Sequence, residues 1–230
     1  MTKIFQIGFN RCGTMSIYHF FNKNGLKSIH WGRGALAAGI EAAHFEGKLL
    51  LTYIEGFDVY CDMEFMREDH AGEWISEKPF EKLFVNYYGQ NMPIPIYAFE
   101  RFKELDQQYP GSKFILNTRD QSNWIRSRKK FLKSGYFFCI HGDSVHPNEY
   151  ELDECWINHW NSHHNAVLEY FSDRPGALLE FNIERDSPKK LVDFFEYLNL
   201  DVTHWGHHNK GNLSVVDFSQ TEWKPFSESN

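Results

Sequence analysis

Two short stretches carry residue types able to hold anions. The first is Gly8-Phe9-Asn10-Arg11-Cys12-Gly13-Thr14-Met15-Ser16. A glycine-bounded loop that enters a helix aims several backbone N–H groups at one point, and the helix N-terminus adds a partial positive charge. Arg11 contributes a full charge on a planar fork suited to phosphate oxygens. Thr14 and Ser16 contribute hydroxyl donors. An ATP- or GTP-hydrolysing loop, G-x-x-x-x-G-K-[ST], has the same glycine separation. Here Thr14 stands where that loop needs lysine, and Met15 where it needs the magnesium-binding hydroxyl. The second stretch runs from Arg119 through Asp120 to Arg128 and follows the apolar run Lys113–Thr118. An arginine leaving the carboxyl end of such a strand lies where ligands bind in open α/β sheets. Ser127 falls about two helical turns further on, and the pair can grip a second phosphate. The competing reading makes Arg119–Asp120 a helix cap with a local ion pair, and Arg126, Arg128, Lys129 and Lys130 a solvated face.

The elements that must place these residues alternate between strand and helix. Lys3–Gly8 reads as a strand, Thr14–Asn24 as a helix stopped by Gly25, and Leu26–Trp31 as a short strand. Ala35–Phe45 is a helix candidate and Leu49–Ile54 a possible strand. The rest of residues 32–96 carries no assignable pattern. Tyr97–Gln108 and Ser122–Leu132 predict helices, as does the long stretch Tyr150–Phe171. Ala177–Ile183 predicts a strand, and Ser187–Pro188 opens a helix through Leu198. Residues 135–149 read as a loop or lid. The alternation predicts an α/β fold, a mostly parallel central sheet flanked by helices, in one domain over residues 1–230 with a frayed tail from about residue 224.

Composition narrows the partners. The formal charge of −7 over 230 residues argues against nucleic acid or an anionic membrane as the main partner. No window approaches a membrane span of about 20 apolar residues, and the N-terminus lacks a signal-peptide pattern. Cys12, Cys61, Cys139 and Cys155 form no Cys-x-x-Cys pair. They read as free thiols in a reducing, cytoplasmic compartment. Oligomeric state is not legible.

Taken together, the two stretches resemble the sulfotransferase family that uses 3′-phosphoadenosine 5′-phosphosulfate (PAPS). Its first loop, often written P-K-S-G-T-T, is matched by Asn10-Arg11-Cys12-Gly13-Thr14-Met15-Ser16. Its arginine at a strand end and serine eight positions on are matched by Arg119 and Ser127. Tyr109-Pro110-Gly111-Ser112-Lys113 is similar to the family's approach to that strand. His208-Asn209-Lys210-Gly211 is similar to a late loop that closes over the nucleotide. The resemblance implies a P-loop nucleotide-binding fold, PAPS as co-substrate, 3′-phosphoadenosine 5′-phosphate (PAP) as product, and no metal. It places the 5′-phosphosulfate on residues 10–16, the 3′-phosphate on Arg119 and Ser127, and Asn209, Lys210 and Gly211 over the nucleotide. The acceptor it implies is a small molecule or glycan. Arg11 departs from the family's usual lysine. It keeps the charge but is effectively never deprotonated.

Transfer to a hydroxyl also needs a base, and the sequence leaves several. His30 follows the strand after the loop helix and has an ordinary pKa near neutrality. Asp62 and Glu64 are the acidic candidates. With Arg11 as charge stabiliser they complete the expected catalytic set. His159 and His163, spaced i, i+4, lack a third ligand and carry no metal-site pattern. Two rival functions stay open. One is a kinase, with Asp120 at the end of its strand holding a metal; the other is a non-catalytic nucleotide-binding module.

Overall fold

A computed structural model describes residues 2–65, 96–131, 140–141, 144–145 and 149–206. Its centre is one sheet of five short strands: β1 (Ile4–Gln6), β2 (Ser28–His30), β3 (Val59–Cys61), β6 (Lys113–Thr118) and β9 (Leu178–Asn182). They lie in the order β2-β3-β1-β6-β9, and every neighbouring pair is parallel. Two small antiparallel pairs stand apart from it, β4 (Glu64–Phe65) with β5 (Ile96–Tyr97), and β7 (Ile140–His141) with β8 (Ser144–Val145). The helices are α1 (Thr14–Lys23), α2 (Ala35–Phe45), α3 (Phe102–Gln108), α4 (Gln121–Phe131), α5 (Glu149–Tyr170) and α6 (Lys189–Phe194).

The strands are apolar on both faces because helices cover both. Successive side chains alternate across the sheet. Phe5, Phe114 and Leu116 join one core with Trp156, Trp160 and Val167 of α5. Ile4, Ile115 and Phe181 join a second core with Ile17, Phe20 and Phe21 of α1 and Leu191 of α6. Those α1 positions share one face by their i, i+3, i+4 spacing. Each such buried aromatic or aliphatic side chain stabilises the fold by about 1.5–3 kcal/mol. Helix α1 ends where Gly25 turns to φ 84°, and Leu26 donates its N–H to the Phe21 carbonyl at 3.1 Å.

Several elements differ from expectation. Leu49–Ile54 is a run of turns, with Thr52 N–H bonded to Leu49 O and Ile54 N–H to Leu51 O, each at 2.9 Å. Side chains take two more donors: Leu50 N–H bonds Gln108 Oε1 at 2.7 Å and Leu51 N–H bonds Tyr109 Oη at 2.9 Å. The run carries buried Leu50, Leu51 and Ile54 because it plugs the core, and it pairs with no described strand. The strand that does join the sheet there is β3, whose three residues are too few to show a period. The stretch Tyr97–Gln108 begins as a strand residue and a 3-10 turn before α3. The last helix stops at Phe194, and a 3-10 turn, Glu196–Leu198, follows. The break lets Phe195 pack its ring edge-on against Phe21 at 5.2 Å. Cys12 and Cys61 are free and buried. Cys155 is disulfide-bonded, which corrects the expectation of a free thiol there. The remainder of residues 135–149 and the tail beyond residue 206 lie outside the described residues.

Candidate active site

The chain leaves β1, builds β2 and β3 on one side of it, then crosses to β6 and β9 on the other. That reversal makes a crevice beyond the carboxyl ends of the strands at β1. The loop 8–13 fills its floor. A Cβ at Gly8 would overlap the backbone oxygen of Asn117 on β6, so only glycine lets the two strands lie this close. Gly13 takes φ 78° as the residue before α1, and a Cβ there would come within 2.7 Å of Ile183 Cγ2. Gly8→Ala is expected to lower stability by about 1–3 kcal/mol through overpacking, read as a shift in urea midpoint.

The second stretch reaches the same crevice. Arg119 donates Nη1–H to the Arg11 carbonyl at 3.0 Å. Arg11 donates Nε–H to Ser127 Oγ at 3.3 Å. Arg11, Arg119 and Ser127 are therefore brought together from positions more than a hundred residues apart in the chain. Arg11 sits at φ 64°, a left-handed conformation uncommon for a non-glycine residue. Burial lowers its pKa from the ordinary arginine value, nearby Arg119 adds to the shift, and Asp62 opposes it. A cation so placed gains from an anion beside it.

Arg119 also has a protein partner. Its Nε donates to Glu184 Oε1 at 3.0 Å, and its Nη2 contacts the same oxygen. Glu184 Oε2 accepts from Asp120 N–H at 3.0 Å. Asp120 caps α4, its Oδ1 accepting from Ser122 Oγ at 2.6 Å and from Asn123 N–H at 3.1 Å. The hydrogen bond from Ser122 and the one from the Asn123 backbone hold its carboxyl below the usual range. The expected cap is thus present, but the ion pair of Arg119 is with distant Glu184 and not with Asp120, and Asp120 spends an oxygen on the helix that a kinase would spend on metal. The basic run is not one solvated face. Arg128 is buried, pairing with Glu64 Oε1 at 2.5 Å between the rings of Trp124 and Trp156, and Lys129 pairs with Asp153 at 2.8 Å.

The base candidates stand on the β2 and β3 side. Glu64 has both oxygens engaged, one by Arg128 and the other by Asn10 N–H at 3.1 Å. His30 Nε2 lies 3.0 Å from Thr14 Oγ1 and 3.4 Å from Asp62 Oδ2. Burial, assisted by His19, pushes the His30 pKa down to about 3. Asp62 takes φ 60° just past β3. Burial raises its pKa to about 8, Glu64 adds to the shift, and Arg11, Arg128 and a hydrogen bond from Thr14 oppose it. Near neutral pH both partners of the His30–Asp62 contact are therefore mostly uncharged.

These shifts set a pH dependence of stability. Between about pH 6.5 and about pH 8 the unfolded chain has released the Asp62 proton, with an ordinary carboxyl pKa near 3.9, while the folded chain still holds it. The folded state binds more protons, so this group makes stability fall as pH rises through that window. His30 acts oppositely, and only below about pH 6.5. Asp62→Asn is expected to flatten the fall, measured as urea midpoints at about pH 6.5 and about pH 8.5.

A family model described as a sulfotransferase domain matches residues 3–225. The chain belongs to the sulfotransferase family. A search of curated proteins returns no match. Membership makes this a transferase of the α/β type. Among the described residues of the sulfotransferase, no group of three or more His, Cys, Asp or Glu side chains is placed to hold a metal ion. No described helix is long and apolar enough to cross a membrane. Asn209, Lys210 and Gly211, expected over the nucleotide, lie outside the described residues.

Sequence reading missed Asn117, Trp124, Arg128 and Glu184 as parts of this site. Asn117 had a signal: a polar residue inside the apolar run Lys113–Thr118, fully buried in the sheet. Glu184 stands just past the end of β9, the same kind of position that picked out Arg119. Arg128 is hidden in a run whose Arg126 and Lys130 are exposed.

Proposed function

We propose that the sulfotransferase takes its sulfonate from PAPS and moves it in line to a hydroxyl, or amine, of a small-molecule or glycan acceptor. When bound, PAPS supplies the sulfonate on an activated sulfur–oxygen bond and leaves as PAP. The observation that carries the reading is the meeting of Arg11 with Arg119 and Ser127 at one crevice. The residues present fit a doubly phosphorylated nucleotide. The N–H groups of Cys12, Gly13, Thr14 and Met15 donate to no other described group, and they cluster where α1 begins. They suit the 5′ end, with Arg11 stabilising the charge that grows on the leaving oxygen. Arg119 and Ser127 suit the 3′-phosphate.

Asp62 takes the acceptor proton. The acceptor oxygen forms its bond to sulfur as the bond from sulfur to the bridging phosphate oxygen breaks, and the O–H proton passes to the carboxylate. A pKa of about 8 makes Asp62 a stronger base than an ordinary carboxylate. His30, at about 3, is too weak for the task and orients Thr14 and Asp62. Because the base must be ionised, kcat/KM is expected to rise with pH through an apparent pKa near 8, and Asp62→Asn removes that rise. Transfer of labelled sulfate from PAPS across a panel of phenols, alcohols, amines and sugars tests the reading. Label in an acceptor supports it, and none from any acceptor class, with PAPS intact, counts against it. The net charge of −7 argues against nucleic acid as acceptor. Free thiols at Cys12 and Cys61 favour a cytoplasmic setting, whereas the Cys155 disulfide weighs against it.

A further inference from the structure

The loop that reads as an anion cradle has its carbonyls tied down. Asn117 Nδ2 donates to both Phe9 O and Cys12 O at 3.1 Å. Trp124 Nε1 donates to Asn10 O at 3.1 Å. Arg119 Nη1 donates to Arg11 O at 3.0 Å. Every carbonyl from Phe9 to Cys12 thus accepts from a side chain, and all the donors come from one segment, residues 117–124. Asn117 and Trp124 are fully buried. Asn117 also accepts Gly8 N–H through Oδ1 at 2.9 Å, so its amide is used on both ends.

A peptide unit points its N–H and its C=O in opposite directions. Holding the oxygens of residues 9–12 against β6 and α4 turns the following N–H groups the other way: that of Asn10 goes to Glu64 Oε2 at 3.1 Å, and that of Gly13, which has no described acceptor, is left for an anion at the start of α1. A released carbonyl can rotate its peptide and present a negative end to the anion, where it repels. Loss of one partner also leaves a buried polar group unsatisfied.

We infer that the 117–124 segment sets the polarity of the loop, with Asn117 as the chief positioning residue and Trp124 as its second. This rests on the proposed reading of the loop as the 5′-anion site. Neither side chain needs to touch the nucleotide; each acts through loop backbone.

Two variants test it, N117D and W124F. In N117D the carboxylate still accepts from Gly8 N–H but has no proton for Phe9 O or Cys12 O. Phenylalanine keeps an aromatic ring in the Trp124 site without its N–H donor. For each folded variant, calorimetry gives the affinity for PAP and for adenosine 3′-monophosphate, which lacks the 5′ group. The inference expects the ratio of these affinities to fall about tenfold, with adenosine 3′-monophosphate binding little changed. A merely structural role would weaken both ligands alike, and an unchanged or evenly weakened pair in both variants overturns the inference while leaving the proposed function standing. Wild-type protein that does not prefer PAP over adenosine 3′-monophosphate overturns the proposed function instead. The loop is then judged with inorganic sulfate by amide NMR. Shifts at Gly13 and Thr14 in wild type that vanish in the variants support the inference. Equal shifts in the variants, or none in wild type, overturn it.

Discussion

Asp62→Asn is expected to lower kcat by about 10²–10⁴-fold, the range spanned by a general base, while PAP affinity stays within about threefold of wild type. The second half follows from the geometry. Asparagine is nearly isosteric and tolerates the left-handed backbone that Asp62 adopts at φ 60°. Asp62 near neutral pH is already mostly protonated, so the variant changes little in the resting charge of the site. What it removes is the capacity to accept a proton. Stopped or steady-state assays with PAPS and any acceptor found to work give kcat, and calorimetry with PAP gives the affinity. Unchanged kcat with intact binding would return the proton to His30, against the burial that holds that ring neutral.

Arg119→Ala is expected to weaken PAP by about 30–100-fold, the loss of charge-assisted bonds to a phosphate. Three effects run the same way. The 3′-phosphate loses its fork. The Arg11 carbonyl loses its donor. Glu184 keeps its place through Asp120 N–H and Asn123, and leaves an uncompensated negative charge beside the phosphate. Arg119→Lys restores the charge but not the fork and should recover only part of the affinity. Calorimetry without magnesium measures both. Affinity for PAP unchanged by Arg119→Ala would remove Arg119 from the site.

The parts of this molecule that were legible in sequence are those whose physics is local. The loop after β1 announces itself through two glycines and an arginine between an apolar run and an amphipathic helix. Arg119 does so by following the longest buried strand. Helices α1, α2 and α4 fell close to their expected bounds because their apolar spacing and stop signals lie within the element. The residues that complete the site could not be found this way. Glu64 reads as a base in sequence, but its neighbour in space is Arg128, 64 positions away. Asp62 and His30 were separated from a field of candidates only by burial, which the packing of distant strands decides. Leu49–Ile54 looked like a strand because a core plug and a buried strand have the same composition; its partners, Gln108 on α3 and Tyr109 just after it, distinguish them.

The central claim is that one nucleotide spans both stretches. A crystal structure of the protein with PAP reads this directly. The 5′-phosphate is expected against the N–H groups of residues 12–15 beside Arg11, and the 3′-phosphate on Arg119 and Ser127. PAP bound with either phosphate away from these groups, or with both phosphates on one stretch alone, would contradict it.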